Sequence, residues 1–232
     1  MDRALVFGTS DGGSIPSRRT QSGFVAQLVE RSPLKRLVAG SSPAGPTMEL
    51  IEVLDENGKK TGQILDKEII HQNGLWHREV AVWIFNSKGE TLVQRRALTK
   101  KMNPNKIALC AGHVPTNEDS ITAIIREIKE ELGIQVNPHS LQFLITEKEE
   151  KSFPNGLINR IFNDVYYLII DKDISEFTIQ TEELSEIFWI DYKKFKEKKL
   201  NINPDPDIVV CNTPTDLKTF KLLDKIYSKI KH

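Results

Sequence analysis

From residue 48 onward the sequence predicts an α/β domain, and three observations carry that prediction. Short runs rich in β-branched and aromatic residues recur along the chain, among them ELIEVL, VAVWIF, TLVQRR, LQFLIT, INRIFNDVYYLII and LSEIFWI, a composition that suits strands. Between the third and fourth runs, apolar residues recur at helical spacing over about Glu118 to Leu132. A second segment of that kind, TPTDLKTFKLLDKIYSKI, follows the last run.

Each element has local support. VAVWIF and TLVQRR are separated by a hairpin-length loop from Asn86 to Gly89, whose glycine can take positive φ, so the two are expected in one sheet. The first helix has Thr116 or Asn117 as a candidate N-cap, Glu118 and Asp119 in its first turn where the macrodipole favours them, and Gly133 as its stop. Ile121, Ile124, Ile125, Ile128 and Leu132 form its expected buried side, with Glu127, Glu130 and Glu131 opposite. The closing helix has Thr213 as N-cap, Pro214 at its first position, and Leu217, Phe220, Leu223, Ile226 and Ile230 on one face.

Composition narrows the function classes. The 232 residues carry no formal net charge and 39% hydrophobic residues, which points away from nucleic acid or a membrane surface as the main partner. Two cysteines, Cys110 and Cys211, fit neither a disulfide framework nor a zinc motif, so a cytoplasmic location is the default expectation. Residues 1–47 differ from the rest: they hold five Arg against one Lys, and 17 of them are Gly, Ser or Pro. That segment is expected to be disordered. It could be a transit peptide or a flexible tail. The expectation adopted is that it lies outside the native protein, because VAQLVER and AGSSPAG resemble the in-frame translation of a tRNA gene, and that the domain spans 48–232 from Met48.

The chemistry concentrates in Gly112 to Ile134, GHVPTNEDSITAIIREIKEELGI. Three glutamates at i, i+3 and i+4 repel one another, and a divalent cation is the usual reason to retain them; all-oxygen donors suit Mg²⁺ or Mn²⁺. A solvated helix face would explain the charges alone. The wider frame argues against that: Gly112, five residues, Glu118, seven residues, then Arg126, Glu127, Ile128, Lys129, Glu130, Glu131, Leu132, Gly133 and Ile134 fit every fixed position of the Nudix box. The chain therefore resembles the Nudix family over roughly Glu49 to the C-terminus. The resemblance implies an α/β/α sandwich with a mixed sheet and Mg²⁺-dependent hydrolysis of a diphosphate linkage in a nucleoside diphosphate derivative or related small molecule. It implies Glu127, Glu130 and Glu131 as metal ligands, with Glu127 or Glu130 in the catalytic step and Arg126 holding Glu127. Gly112, Glu118 and Gly133 are implied to be structural. A further ligand is expected from a later loop, with Glu183 preferred over Glu182. A homodimer is compatible with all of this.

A second resemblance qualifies the first. IIHQNGLWHREVAVWIFNSKGETLVQRRALTKKMNPN followed by CAGH is similar to isopentenyl-diphosphate isomerase, in which the residues matching His71, His77 and His113 bind metal, so these three form a possible second site. A histidine at a strand edge is more often simply packed. The isomerase's catalytic cysteine matches Ala111, and its paired glutamates match about Phe162 and Asp164, which opposes isomerisation. Three classes thus compete: hydrolase, prenyl-diphosphate isomerase, and a non-catalytic nucleotide sensor, for which a degraded box is expected. Trp76, Trp83 and Phe153 are candidates to stack on a base, and Arg95, Arg96, Lys100 and Lys101 to meet phosphates.

Overall fold

A computed structural model describes residues 48–211 and 213–232; the expectations for residues 1–47 lie outside the described residues. Nine strands join in one mixed sheet: β1 (Leu50–Leu54), β2 (Lys60–Asp66), β3 (Trp76–Phe85), β4 (Glu90–Arg96), β5 (Ile107–Ala108), β6 (Cys110–His113), β7 (Gln142–Ser152), β8 (Ile158–Ile169) and β9 (Leu184–Asp191). Among the described residues four α-helices accompany them: α1 (Lys67–Asn73), α2 (Ser120–Leu132), α3 (Tyr192–Lys199) and α4 (Pro214–Ile230). β3 is the hub. It runs antiparallel to β1, β4 and β6 and parallel to β8, which pairs in turn with β7. The expected hairpin closes through the Gly89 amide, which donates to the Asn86 carbonyl at 3.0 Å, with Gly89 at φ 75°.

Side-chain alternation on β3 gives the sheet two covered faces. Val80, Val82 and Ile84 pack with Cys110, Tyr166 and the α2 residues Ala123, Ile124, Ile128 and Leu132. Trp83 and Phe85, on the other face, pack with Tyr192 and Phe195 of α3 and Phe220 and Leu223 of α4. Fully burying each such aliphatic or aromatic side chain contributes about 1.5–3 kcal/mol, so the helices are held by the sheet. The expected sandwich is present. No helix among the described residues is long and apolar enough to cross a membrane.

Several local expectations need correction. α2 starts at Ser120, because Asp119, and not Thr116 or Asn117, accepts from the Thr122 amide at 2.8 Å. Ala123 is buried in place of Ile121 and Ile125, which are half-buried. On α4 the inward stripe is Asp216, Thr219, Phe220 and Leu223, while Leu217 is 43% exposed. The buried positions Asp216 and Thr219 are polar because they line a cleft, and an apolar periodicity does not register polar positions.

Candidate active site

The box charges gather around one guanidinium. Arg126 donates through Nε to both oxygens of Glu118 (3.2 and 3.1 Å), through Nη1 to Glu127 Oε1 (2.8 Å) and Glu130 Oε2 (3.0 Å), and through Nη2 to the His113 carbonyl (3.1 Å). Glu118 thus receives the paired oxygen contact, whereas Glu127 shares a single nitrogen with Glu130. Gly112 lies in β6 and not in a loop. A Cβ there would stand 2.0 Å from Glu127 Oε1, so glycine is required to seat that carboxylate. Gly133 ends α2 in the left-handed region at φ 70°, a conformation glycine adopts without a Cβ penalty.

The three helix carboxylates do not share an open face. Glu130 is half-exposed, Glu127 is largely covered, and Glu131 is only 5% exposed, accepting from Gln94 Nε2 at 3.0 Å with the Cys110 thiol beside it. Burial pushes the Glu127 carboxyl up to about 7, against the opposing charge of Arg126 and with help from Glu131 and Glu130. Burial also raises Glu131, and Glu183 adds to that. Glu183 stands just before β9, where its carboxylate pairs with Lys100. The structure therefore brings Glu127, Glu130, Glu131 and Glu183 to one cleft of about 550 Å³, together with Arg126 and Gly112.

The three histidines also converge, on the other face of β6. His71 Nε2 lies 3.0 Å from His113 Nε2, and their ligating atoms, with those of His77 and Glu79, fall within 4.8 Å of one another. No other such group occurs among the described residues. His77 is fully buried, and its Nδ1 donates to the Leu75 carbonyl at 3.0 Å. Its Nε2 makes no hydrogen bond and lies 3.4 Å from Glu79 Oε1. Burial, with His113 and His77 adding to it, pushes His71 down to about 4. His113 moves up despite burial, because Glu49 bonds it and Glu79 lies near. Glu49 and Glu79 each fall to about 2 against the effect of burial, Glu49 through His113 and Lys67, Glu79 through His77, His113 and Asn159.

Register corrects the assignment of the isomerase's paired carboxylates. His77 lies opposite Ile161 and Glu79 opposite Asn163, whereas Phe162 and Asp164 align with Arg78 and Val80, on the face away from the histidines. Asp164 is occupied there by Arg78, Ser120 and Thr146. Cys110 pairs with Val82 and is buried against α2, while Ala111 pairs with Ala81.

Of the expected substrate contacts, Arg96, Lys100 and Phe153 line the cleft. Arg95 is tied to Glu186 and Asp207, and Lys101 to Glu68. Trp76 packs against Phe162, and Trp83 is buried among Tyr192, Phe195 and Phe220, so neither offers a stacking surface. Residues the sequence reading missed include Glu79, Gln94, Glu147 and Glu149. Glu79 was detectable as i+2 from His77 on a strand, and Glu147 and Glu149 by the same alternation; Gln94 had no signal. Burial, with Glu147, Asp216 and Glu79 adding to it, raises Glu149 to about 7.

The NUDIX domain family model matches residues 75–210. The chain is 32% identical over 153 residues to Nudix hydrolase 3 of Arabidopsis thaliana, covering 64% of this chain but 20% of that protein. It is 33% identical over 127 residues to an isopentenyl-diphosphate Delta-isomerase of Pectobacterium atrosepticum, covering 53% of this chain and 69% of the isomerase. A crystal structure of a Deinococcus radiodurans protein superposes with a TM-score of 0.54 at 20% identity, over 79% of this chain and all of that one; at that identity the likeness speaks to fold alone. With a family match over more than half its length and the box seated in the family's fold, the chain belongs to the Nudix hydrolase family.

Proposed function

We propose that the chain is a divalent-metal-dependent hydrolase of a diphosphate linkage in a small molecule, with Mg²⁺ or Mn²⁺ as the ion. The observation that carries this reading is the pair Glu127 and Glu131: two carboxylates in low-dielectric surroundings beside a cleft, raised by burial, with a third and fourth, Glu130 and Glu183, at its lining. Two buried carboxylates of which only Glu127 bonds a guanidinium are costly, and an all-carboxylate oxygen set fits a hard divalent ion. Glu127, Glu130, Glu131 and Glu183 would hold it, Glu130 and Glu183 by exchanging their ion pairs with Arg126 and Lys100. The ion supplies neutralisation of the phosphate oxygens and a more acidic attacking water.

The chain's own residues do the rest. Arg126 engages Glu127 through Oε1, leaving Oε2 either to hold the ion or to take the proton water loses as its oxygen bonds to phosphorus and the bridging P–O bond breaks. Gly112 keeps that carboxylate seated. Arg96 at the cleft lining meets phosphate oxygens. His71, His77, Glu79 and His113 serve as a second metal site, where imidazole donors suit a borderline ion such as Zn²⁺. The isomerase alternative is disfavoured because Ala111 stands at the catalytic cysteine's position and Cys110 faces the other way.

The test is a panel of nucleoside diphosphate derivatives, dinucleotides and isopentenyl diphosphate, assayed with Mg²⁺ for released phosphate and for dimethylallyl product. Hydrolysis lost in Glu127→Gln is the expected result. Isomerisation at enzymatic rates, abolished by His71→Ala, would overturn it.

A further inference from the structure

The α4 side of the cleft holds polar residues that neither the box nor the histidine cluster uses. Glu147 and Glu149 alternate on β7 opposite Asn163 and Ile161 of β8, and Asp216 and Thr219 face them from α4. Glu147 is 6% exposed and already engaged, accepting from Thr219 Oγ1 and, at 3.2 Å, from Asn163 Nδ2. Asp216 is engaged through Oδ2, which accepts from the Thr213 amide and hydroxyl at 2.7 Å each. These two are fixed struts.

What remains open is chemically mixed. Asn163 is 9% exposed, yet its Oδ1 has no hydrogen-bond partner, and a buried orphan acceptor is costly without a ligand or water to satisfy it. Glu149 presents a second acceptor on the same face. Lys199, also 9% exposed, forms no ion pair among the described residues; its Nζ lies 3.4 Å from Cys211 Sγ. Acceptors and donors side by side suit hydroxyls, each of which donates one hydrogen bond and accepts others. An anionic group would meet Lys151 and Lys199 but would also face Glu147, Glu149 and Asp216. Of the cleft aromatics, Trp83 and Phe220 are each 4% exposed and enclosed in the core, and Phe153 alone is partly exposed to meet a flat base.

We propose that this lining is a subsite for a hydroxyl-rich group, a sugar or other polyol carried on the diphosphate, with Glu149 and Asn163 determining specificity and Glu147 positioning Asn163. The inference rests on the hydrolase reading above. Its test compares a matched pair, glucose 1-diphosphate and cyclohexyl diphosphate, whose rings differ in hydroxyls. Turnover is measured with Mg²⁺ and equilibrium binding with Ca²⁺, for the wild type, Glu149→Gln and Asn163→Leu, with melting curves as a fold control. The wild type is expected to bind the sugar compound at least ten-fold tighter, with the preference falling ten-fold or more in folded Glu149→Gln. Loss of preference in Glu149→Gln with a wild-type melting curve supports the subsite even if Asn163→Leu fails to fold. Preferential binding without turnover would sustain the subsite and sink the hydrolase reading. Turnover of both compounds with equal binding, unchanged in the variants, would sink the subsite and leave the hydrolase intact.

Discussion

The two faces of β6 hold charge beside the same cleft by opposite means. On the α2 face, Glu118, Glu127 and Glu130 are tied to one guanidinium, and Glu131 is buried against an amide and a thiol. On the other face, His71, His77 and His113 are gathered around Glu79, and the carboxylates Glu49 and Glu79 are pulled down to about 2 by the imidazoles. Negative charge is in excess on the first face and compensated on the second. The difference teaches where an added cation would do most for stability: at the box it relieves repulsion, whereas at the histidines it competes with the proton that His113 shares with Glu49.

The largest expected effect breaks the box alone. Glu127→Gln should lower kcat by about 10²–10⁴-fold, the range of lost acid–base catalysis, while circular dichroism stays unchanged; turnover within a few-fold of wild type would remove Glu127 from the mechanism. Gly112→Ala comes next. Its Cβ needs the space Glu127 Oε1 occupies, so kcat should fall about 10-fold or more, since displacing a positioned group by 1 Å costs up to about 10², and Glu127→Gln should add little on top of it. Additive losses in the double variant would separate the two residues.

The other face is tested by His71→Ala. Isothermal titration with Co²⁺ or Mn²⁺ should show one bound equivalent fewer than wild type, with hydrolysis less affected than in the box variants. Equal stoichiometry in both would show that the histidines hold no ion.

Stability against pH sharpens the comparison further. Glu127 and Glu149 sit at about 7 when folded, above their ordinary value near 4.5, so the folded state keeps protons that the unfolded state has released. Their contribution is neutral below about pH 4.5 and grows unfavourable as pH rises toward 7. Glu49 and Glu79, at about 2 when folded, stabilise above about pH 4.5, and that stabilisation is lost as pH falls toward 2. Metal-free protein should therefore melt highest near pH 4.5–5. Glu127→Gln should flatten the loss toward pH 7 by about 1–3 kcal/mol; an unchanged slope would show that Glu127 is not strained in the absence of metal.

The sequence by itself determined what is local and periodic. The spacing from Gly112 to Ile134 fixed a helix with its carboxylates at i, i+3 and i+4, and the turn at Gly89 and the stop at Gly133 followed from residues that tolerate positive φ. Those features depend on neighbours in the chain, which a sequence displays directly. Tertiary structure decided which carboxylate is buried. Glu131 lies inside because Gln94 and Cys110, from two other strands, close over it, and no periodicity of the helix reports them. It likewise decided that Glu79 joins the histidines and that Phe162 and Asp164 do not. Strand register sets facing there, and a shift of one residue sends a side chain to the opposite face. The polar cleft wall of Glu147, Glu149, Asn163 and Asp216 arises only when β7, β8 and α4 meet, because each contributes charges that read, one segment at a time, as ordinary solvated surface.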